Sequence, residues 1–412
     1  MRMKLNKSSQ LLLASAVSLA TAGFLSACAT LTTDFVFVSS AKAAGTNNYG
    51  EINVFEINSE SGVMRQIPTS PFPSGGRNPV AEAVSSDHAN LYVVNRDDNT
   101  IVQFIIGNDG KVYPQNTVNT PGIFPIATAI AGTNLFVADT YQPLPSCSTA
   151  SPCTGSIAMY PIQVTDNTTA GSTSSTPVNG TLGTAAVNAA LSTSYWPLTL
   201  PSSPGDIILP TAIAANGSNA YVSAYDTTSG VGYVFAFTVA NSALSPVNNG
   251  IPVPAGIYPS GIASDPTGAY VYVTDSSSNA VFGFAASSGS LTPLSGSPYK
   301  AGNLPSAVIV DAKGLYAYVA NSQDSTITAY TLSGGVLTSI GTYTTSTQPV
   351  AIGIDPSLNE FLYTANFLGN SVSGFQVQAN SGSLVNSKGT PFTASANPTA
   401  VAAIPHGATS KQ

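Results

Sequence analysis

Arg77 and Arg96 flank a short apolar run, with Glu82, Asp97 and Asp98 close by in the chain. Residues of these types could do acyl chemistry. A guanidinium can hold a carboxylate or phosphate, or steady the oxyanion that forms when a lactone is opened, while a carboxylate can serve as general base. Asp139, Asp275, Asn321 and Asn366 recur at comparable points further along, each closing an apolar stretch. If a ligand site exists it gathers these groups, with Arg77 the first choice, but no residue declares itself as catalytic. The plainer alternative is that Arg96, Asp97 and Asp98 are solvated loop charges and that each Asn or Asp caps its own turn.

Other chemistries find little support. The chain has only two histidines: His88 in the turn Ser86-Asp87-His88-Ala89-Asn90, and His406 in Pro405-His406-Gly407 near the end. Arg65 falls on an expected outer strand. There is no nucleophilic triad, phosphate-cradling loop or dinucleotide fingerprint, and no cofactor is implied. Neither EF-hand spacing nor a His-rich cluster is present, so no metal is expected.

Cys28, Cys147 and Cys153 are the three cysteines. Arg2, Lys4 and Lys7 precede an apolar segment from Leu11 to Phe24, the layout of an export signal, followed by Leu25-Ser26-Ala27-Cys28. This resembles the lipobox of bacterial lipoproteins, which implies lipidation of Cys28, a signal peptide over 1–27 and a tether over 28–33. The rival is an ordinary cut after Ala41-Lys42-Ala43, disfavoured because Asp34 to Val38 is needed as a strand. In an oxidising compartment Cys147 and Cys153 are expected to close a small disulfide ring. The expected location is the cell envelope, periplasm or cell surface, with the membrane touched through lipid alone.

Against 12 Lys and Arg stand 19 Asp and Glu, and only 8% of residues are charged. Without the three basic signal residues the balance is about −10. Nucleic acid, which demands clustered cations, is excluded as a partner, and polyphosphate fits poorly. An uncharged glycan, peptide or protein partner suits this composition, and a monomer is expected.

The elements that must position these groups emerge from a repeat. Pro79, Pro125, Pro210, Pro259, Pro305, Pro349 and Pro398 each open a short apolar run, at spacings of about 44 to 49 residues save for a gap of about 85 after Pro125. After most of them comes an aromatic or apolar strand ending in Asn or Asp, such as Tyr270 to Asp275 or Tyr318 to Asn321. Repeats of this size hold four short strands, the blade of a β-propeller. The last repeat stops after one strand, whereas Phe35 to Val38, Ile52 to Ile57 and Arg65 to Ile67 supply three unmatched strands at the other end. The expectation is therefore an all-β chain, a seven-bladed propeller of four-stranded antiparallel blades over 34–407. N- and C-terminal strands share one blade, and 408–412 form a tail. Because lead-in loops and second-strand exits emerge on one face, Arg77 and Arg96 are expected to lie together there.

An insertion over about 141–205 carries the two cysteines, a Ser/Thr-rich stretch and the sole tryptophan, Trp196. Trp196 is expected to fold back onto a blade, with a lid or partner-contact loop as the alternative.

Tyr92-Val93-Val94-Asn95 followed by Asn99-Thr100-Ile101-Val102, and Ser288-Gly289-Ser290-Leu291 with Ser297-Pro298-Tyr299, resemble the lactonase-type seven-bladed propellers, a group that includes 6-phosphogluconolactonases. The Tyr-Val-Thr-Asp strands are also similar to the YVTN repeats of cell-surface propellers. The resemblance spans nearly the whole mature chain and implies the fold and a lactone-opening activity. Enzymes of the group typically carry Arg-His directly after one anchor proline. Here the following residues are Val80, Ile126, Thr211, Ser260, Ser306, Val350 and Thr399. With those cations missing, the expectation leans to an exported binding or scaffold module. The alternative is a hydrolase opening an uncharged lactone.

Overall fold

The computed structural model describes residues 32–405, apart from 146, 148–149, 151, 165–178, 241–242 and 357–358. Cys28 and His406 lie outside the described residues.

Each anchor proline lies at or near the start of an inner strand, and the strand bulges at the very next residue. Pro79 pairs with Asn95 and Ala81 with Val94, leaving Val80 unpaired, and the same skip recurs at Ile126, Thr211, Ser260, Ser306, Val350 and Thr399. Proline lacks the donor a ladder needs, so it suits the first pairs of a strand, and a bulge there turns the following side chain. The position after the bulge is Ala or Gly in every repeat: Ala81, Ala127, Ala212, Gly261, Ala307, Ala351 and Ala400. Crowding explains this. A Cβ on Gly261 would stand 2.9 Å from the Cα of Ala307 and 3.0 Å from the carbonyl of Ser306, both in the next blade.

Seven antiparallel sheets result. Blade 1 joins the C-terminal strand Pro398–Pro405 to Thr32–Ala44, Tyr49–Asn58 and Met64–Gln66, with Asp34 opposite Pro405 and Val38 opposite Val401. Blades 2 to 7 open at the other six anchors in chain order, and their inner strands pack side by side in a closed ring with blade 1. Sharing one blade between the two ends removes the open edge that an incomplete ring would expose.

Second strands such as Asn90–Asn95, Tyr316–Asn321 and Phe361–Asn366 are buried throughout, as expected of strands covered on both faces. Their β-branched and aromatic side chains feed seven apolar clusters, one at each junction between neighbouring blades. The ring is therefore held by interfaces as continuous as the interior of any blade. Tyrosines in these strands reach across: Tyr272 donates to the carbonyl of Gly335 at 2.8 Å and Tyr318 to that of Gly382 at 3.0 Å, each in the hairpin of the next blade.

The insertion completes blade 3. Its fourth strand is Trp196–Pro197, pairing with Ser156–Pro161, so the chain leaves the third strand and returns much later to supply the outer one. Trp196 is buried in the cluster between blades 3 and 4, folded back onto the blade as expected. Cys147 and Cys153 are joined by a disulfide, with Cα atoms 5.3 Å apart, in the loop between the second and third strands of this blade.

Candidate functional site

Lead-in loops and second-strand exits do share one face, the top of the ring. Arg77 lies there, but committed. Its guanidinium donates to Asp98 at 2.6 Å and to the carbonyl of Asp97 at 3.2 Å, and its backbone N–H donates to Asp98 at 2.7 Å. Asp98 holds the Arg77 guanidinium above its usual pKa, and Arg77 in turn holds Asp98 below the ordinary carboxylate range against the opposing effect of burial. Asp97 accepts from the amide of Asn78 at 3.2 Å. Arg96 takes another course, resting over the ring of Phe124 with its Cζ 5.1 Å from the centroid, a cation–π contact.

The blade-end Asn and Asp residues point into the blades and clamp the lead-in loops. Asp139 accepts from Gly122 N–H at 3.1 Å, Asn321 from Gly302 N–H at 3.0 Å, and Asp275 from the N–H groups of Ile257 and Tyr258, the latter at 3.0 Å. Each of these loops sets a glycine against the clamping side chain, because a larger residue would collide: a Cβ on Gly122 would lie 2.3 Å from the Cβ of Asp139. Asn366 serves the third strand of its own blade, donating to the carbonyl of Ser371 at 3.1 Å. Burial pushes the Asp139 carboxyl up to about 7, and Thr120 and Gly122 pull it back only in part.

Glu82 is set apart from these loops, three residues past its anchor in the inner strand. The equivalent residues elsewhere are Thr128, Ile213, Ile262, Val308, Ile352 and Val401, so a carboxyl is the exception there. The hydroxyl of Ser39, in the N-terminal strand of blade 1, donates to one of its oxygens. The other oxygen is buried without a partner. Burial pushes Glu82 up to about 7, against hydrogen bonds from Ser39 and the backbone of Ala402. His88 is half-buried in its turn, where desolvation lowers its pKa. Among the described residues no three His, Cys, Asp or Glu side chains cluster as metal ligands would.

A cavity on the top face lies beyond the arginines, over blades 3 to 6, with a volume of about 420 Å³. Thr140, Thr211, Ser260, Ser276, Ser306 and Ser322 supply its hydroxyls, and Tyr225 and Tyr258 its aromatic rings. Several of these positions follow from the repeat: Ser260, Ser306 and Thr211 are the bulged residues after anchors, and Thr140, Ser276 and Ser322 directly follow Asp139, Asp275 and Asn321. Strand alternation turns each of the latter outward while its neighbour points into the blade. The two tyrosine rings meet with centroids 4.4 Å apart at 37°. Burial, with a further contribution from the neighbouring Tyr258, raises Tyr225 to about 12, so it stays protonated.

Among the described residues, no Lys, Arg, Asp or Glu lines this cavity. Attention to charged residues alone passes it over. The signal that finds it is positional, since Tyr258 immediately precedes an anchor and Tyr225 sits at the corresponding exit of the preceding blade.

Comparison with known proteins supports the frame in which this cavity sits. Residues 46–144 and 212–402 match the family described as lactonase, 7-bladed beta-propeller, and the unmatched stretch between them holds the insertion. A putative 6-phosphogluconolactonase from Bacteroides fragilis is similar in structure, with TM-score 0.66 at 17% identity over 90% of this chain and 98% of its own. The periplasmic gluconolactonase of Pseudomonas aeruginosa aligns with TM-score 0.67 at 16% identity, over 90% and 98% of the two chains. At these identities the likeness is one of fold. No curated protein matches the sequence. The family match covers well over half of the chain and agrees with the blade count, the ring closure and the anchor repeat: the chain belongs to the lactonase family of seven-bladed β-propellers.

Proposed function

We propose that this chain is an exported, lipid-anchored lactonase-family hydrolase that opens an uncharged lactone in the top-face cavity. The observation that carries this reading is the wall itself: aromatic rings and hydroxyls, and no cation, on a propeller of this family. A phosphorylated or carboxylated substrate would want an arginine fork. Arg77 is engaged by Asp98, and Arg96 lies on Phe124. That two proteins of similar fold bear gluconolactonase names accords with a sugar-lactone substrate. In hydrolysis, water adds to the lactone carbonyl, the ring C–O bond breaks, and the released alkoxide takes a proton. Tyr225 and Tyr258 pack together at the cavity wall, and a phenolic proton there can meet the developing oxyanion.

A binding module for a neutral partner is the second reading. It is favoured by the absence, among the described residues of the wall, of any carboxylate or imidazole to activate the water.

The test is hydrolysis of glucono-δ-lactone and of its 6-phosphate by purified mature protein, against the spontaneous rate. Turnover of the neutral lactone that falls at least ten-fold in Tyr258→Phe supports the hydrolase. Absence of turnover on either compound overturns it in favour of the binding module. Preference for the phosphorylated lactone overturns the uncharged-substrate claim.

A further inference from the structure

The chain enters the ring on the face opposite the cavity. Its first described strand, Thr32–Ala44, is the second strand of blade 1, and Asp34 lies against Pro405, the last residue of the inner strand. Inner strands start at the top, at their anchor prolines, and end at the bottom. Thr32 is therefore at the bottom of the ring and Ala44 at the top. From Asp34 to Ser40 the strand rises about 20 Å at ~3.3 Å per residue, and this depth of sheet separates the entry of the chain from the lead-in loops.

Cys28 stands four residues before Thr32 in the sequence. A chain spans at most ~3.6 Å per residue, so no more than about 14 Å can separate their Cα atoms. A lipid on Cys28 therefore leaves the top face no way to turn to the membrane, because the sheet is deeper than the tether is long. Lying on the rim consumes the tether as well. Two further strands of blade 1, Tyr49–Asn58 and Met64–Gln66, stand outside Thr32–Ala44. At ~4.8 Å each they take up about 10 Å before their side chains are added.

The bottom of blade 6 carries side chains suited to a lipid surface. Leu315 and Val336 are 47% and 41% exposed there, one in the turn before the second strand and the other at the hairpin between the third and fourth. Lys313, two residues before Leu315, is exposed beside them. In a headgroup region such a lysine lays its stem on apolar surface and keeps its ammonium in water. Nearby carboxylates are turned inward: Asp311 accepts from the N–H groups of Leu315 and Tyr316 at 2.7 and 2.8 Å, and Asp265 from that of Tyr270 at 2.7 Å. Glu60, Asp87 and Glu360 remain exposed on this face, and the cost of stripping water from them holds the contact at headgroup depth. We propose that the bottom face rests on the lipid bilayer, with the cavity opening away from it into the aqueous space. The proposal rests on the lipid-anchored reading above. It adds the face that meets the membrane and the side from which a substrate arrives.

The experiment is amine footprinting of the protein purified from membranes and reconstituted in phosphatidylethanolamine–phosphatidylglycerol vesicles, beside the soluble Cys28→Ala form. Acylation of each lysine is read by peptide mass spectrometry. Lys313 reports the bottom face, and the exposed Lys42 and Lys300, beside lead-in loops, report the top. The expected result is labelling of Lys313 at least five-fold slower on vesicles than in the soluble form, with Lys42 and Lys300 unchanged. A long Gly/Ser insertion between Ala29 and Thr30 should return Lys313 toward the soluble rate while the protein still floats with the vesicles. Protection that survives the insertion overturns the short tether as its cause. Equal rates at Lys313, or protection of Lys42 and Lys300 instead, overturns the orientation and leaves the anchor standing. Protein that does not float with the vesicles overturns the anchor and the orientation together.

Discussion

Tyr363 donates its hydroxyl to the carboxylate of Asp34 at 3.1 Å, where equivalent tyrosines in blades 5 and 6 donate to a hairpin carbonyl. The contact joins blade 7 to the first described strand of the chain, across the closing junction of the ring. Asp34 is fully buried and its second oxygen has no partner.

This pair makes stability pH-dependent in an unusual direction. Burial, with a smaller contribution from nearby Asp355, pushes the Asp34 carboxyl up from 3.8 to about 8, while the Tyr363 hydrogen bond opposes the shift. Between those values the folded chain holds a proton that the unfolded chain has released, so stability falls as pH rises through this window. Glu82 and Asp139, each raised to about 7, act in the same sense. We expect the melting temperature to drop steadily from pH 5 to pH 8. The slope is at most on the order of 1.4 kcal/mol per pH unit for each carboxyl. Asp34→Asn, which keeps an acceptor for Tyr363, should flatten the profile. A melting temperature that rises toward pH 8 would contradict the assignment.

Closure of the ring depends on the strand Pro398–Pro405. It carries Val401 into the cluster between blades 7 and 1, and Ile404 into the one between blades 1 and 2. Truncation after Asn397 should therefore abolish the cooperative transition of the whole ring rather than loosen one blade. Thermal unfolding followed by circular dichroism checks this, and a truncated chain that melts like the full one would refute the shared blade as the closing element.

Crowding between inner strands predicts that even one methyl group is felt at Gly261. Gly261→Val should destabilise the fold by about 1–3 kcal/mol, as overpacking does, because the obstruction is backbone of blade 6. Val at Ala307 offers a comparison in the next blade. Denaturant midpoints give the values, and an unchanged midpoint for Gly261→Val would show that the neighbouring strands can part freely.

The lipobox proposal concerns a residue that precedes the described fold. Cys28→Ala should shift the protein from the membrane fraction to the soluble exported fraction without altering its melting temperature, as read by fractionation and immunoblotting. Continued membrane retention would remove lipidation as the anchor.

Much of this architecture is legible in the sequence because it repeats. The anchor prolines, the small residue two places on and the Asn or Asp closing the second strand each answer a local geometric demand, so they recur wherever that demand does. The fourth strand of blade 3 is not legible, since Trp196–Pro197 arrives after a long insertion and only two residues pair. The Tyr225–Tyr258 contact is hidden for another reason. Either tyrosine alone reads as ordinary loop composition, and only the juxtaposition of neighbouring blades makes them a pair. The roles of Arg77 and Asp98 are likewise invisible in one dimension, because the partner that occupies each is fixed by the fold.

The chain enters the propeller through Thr32–Ala44, a strand bonded on one side to Tyr49–Asn58 and on the other to Pro398–Pro405. Inter-strand hydrogen bonds lie across the strand direction. Were the chain anchored ahead of Thr32, tension would be carried in shear by two ladders at once, rather than peeling bonds open singly. The strand against which the ring is closed is also the one placed to bear mechanical load.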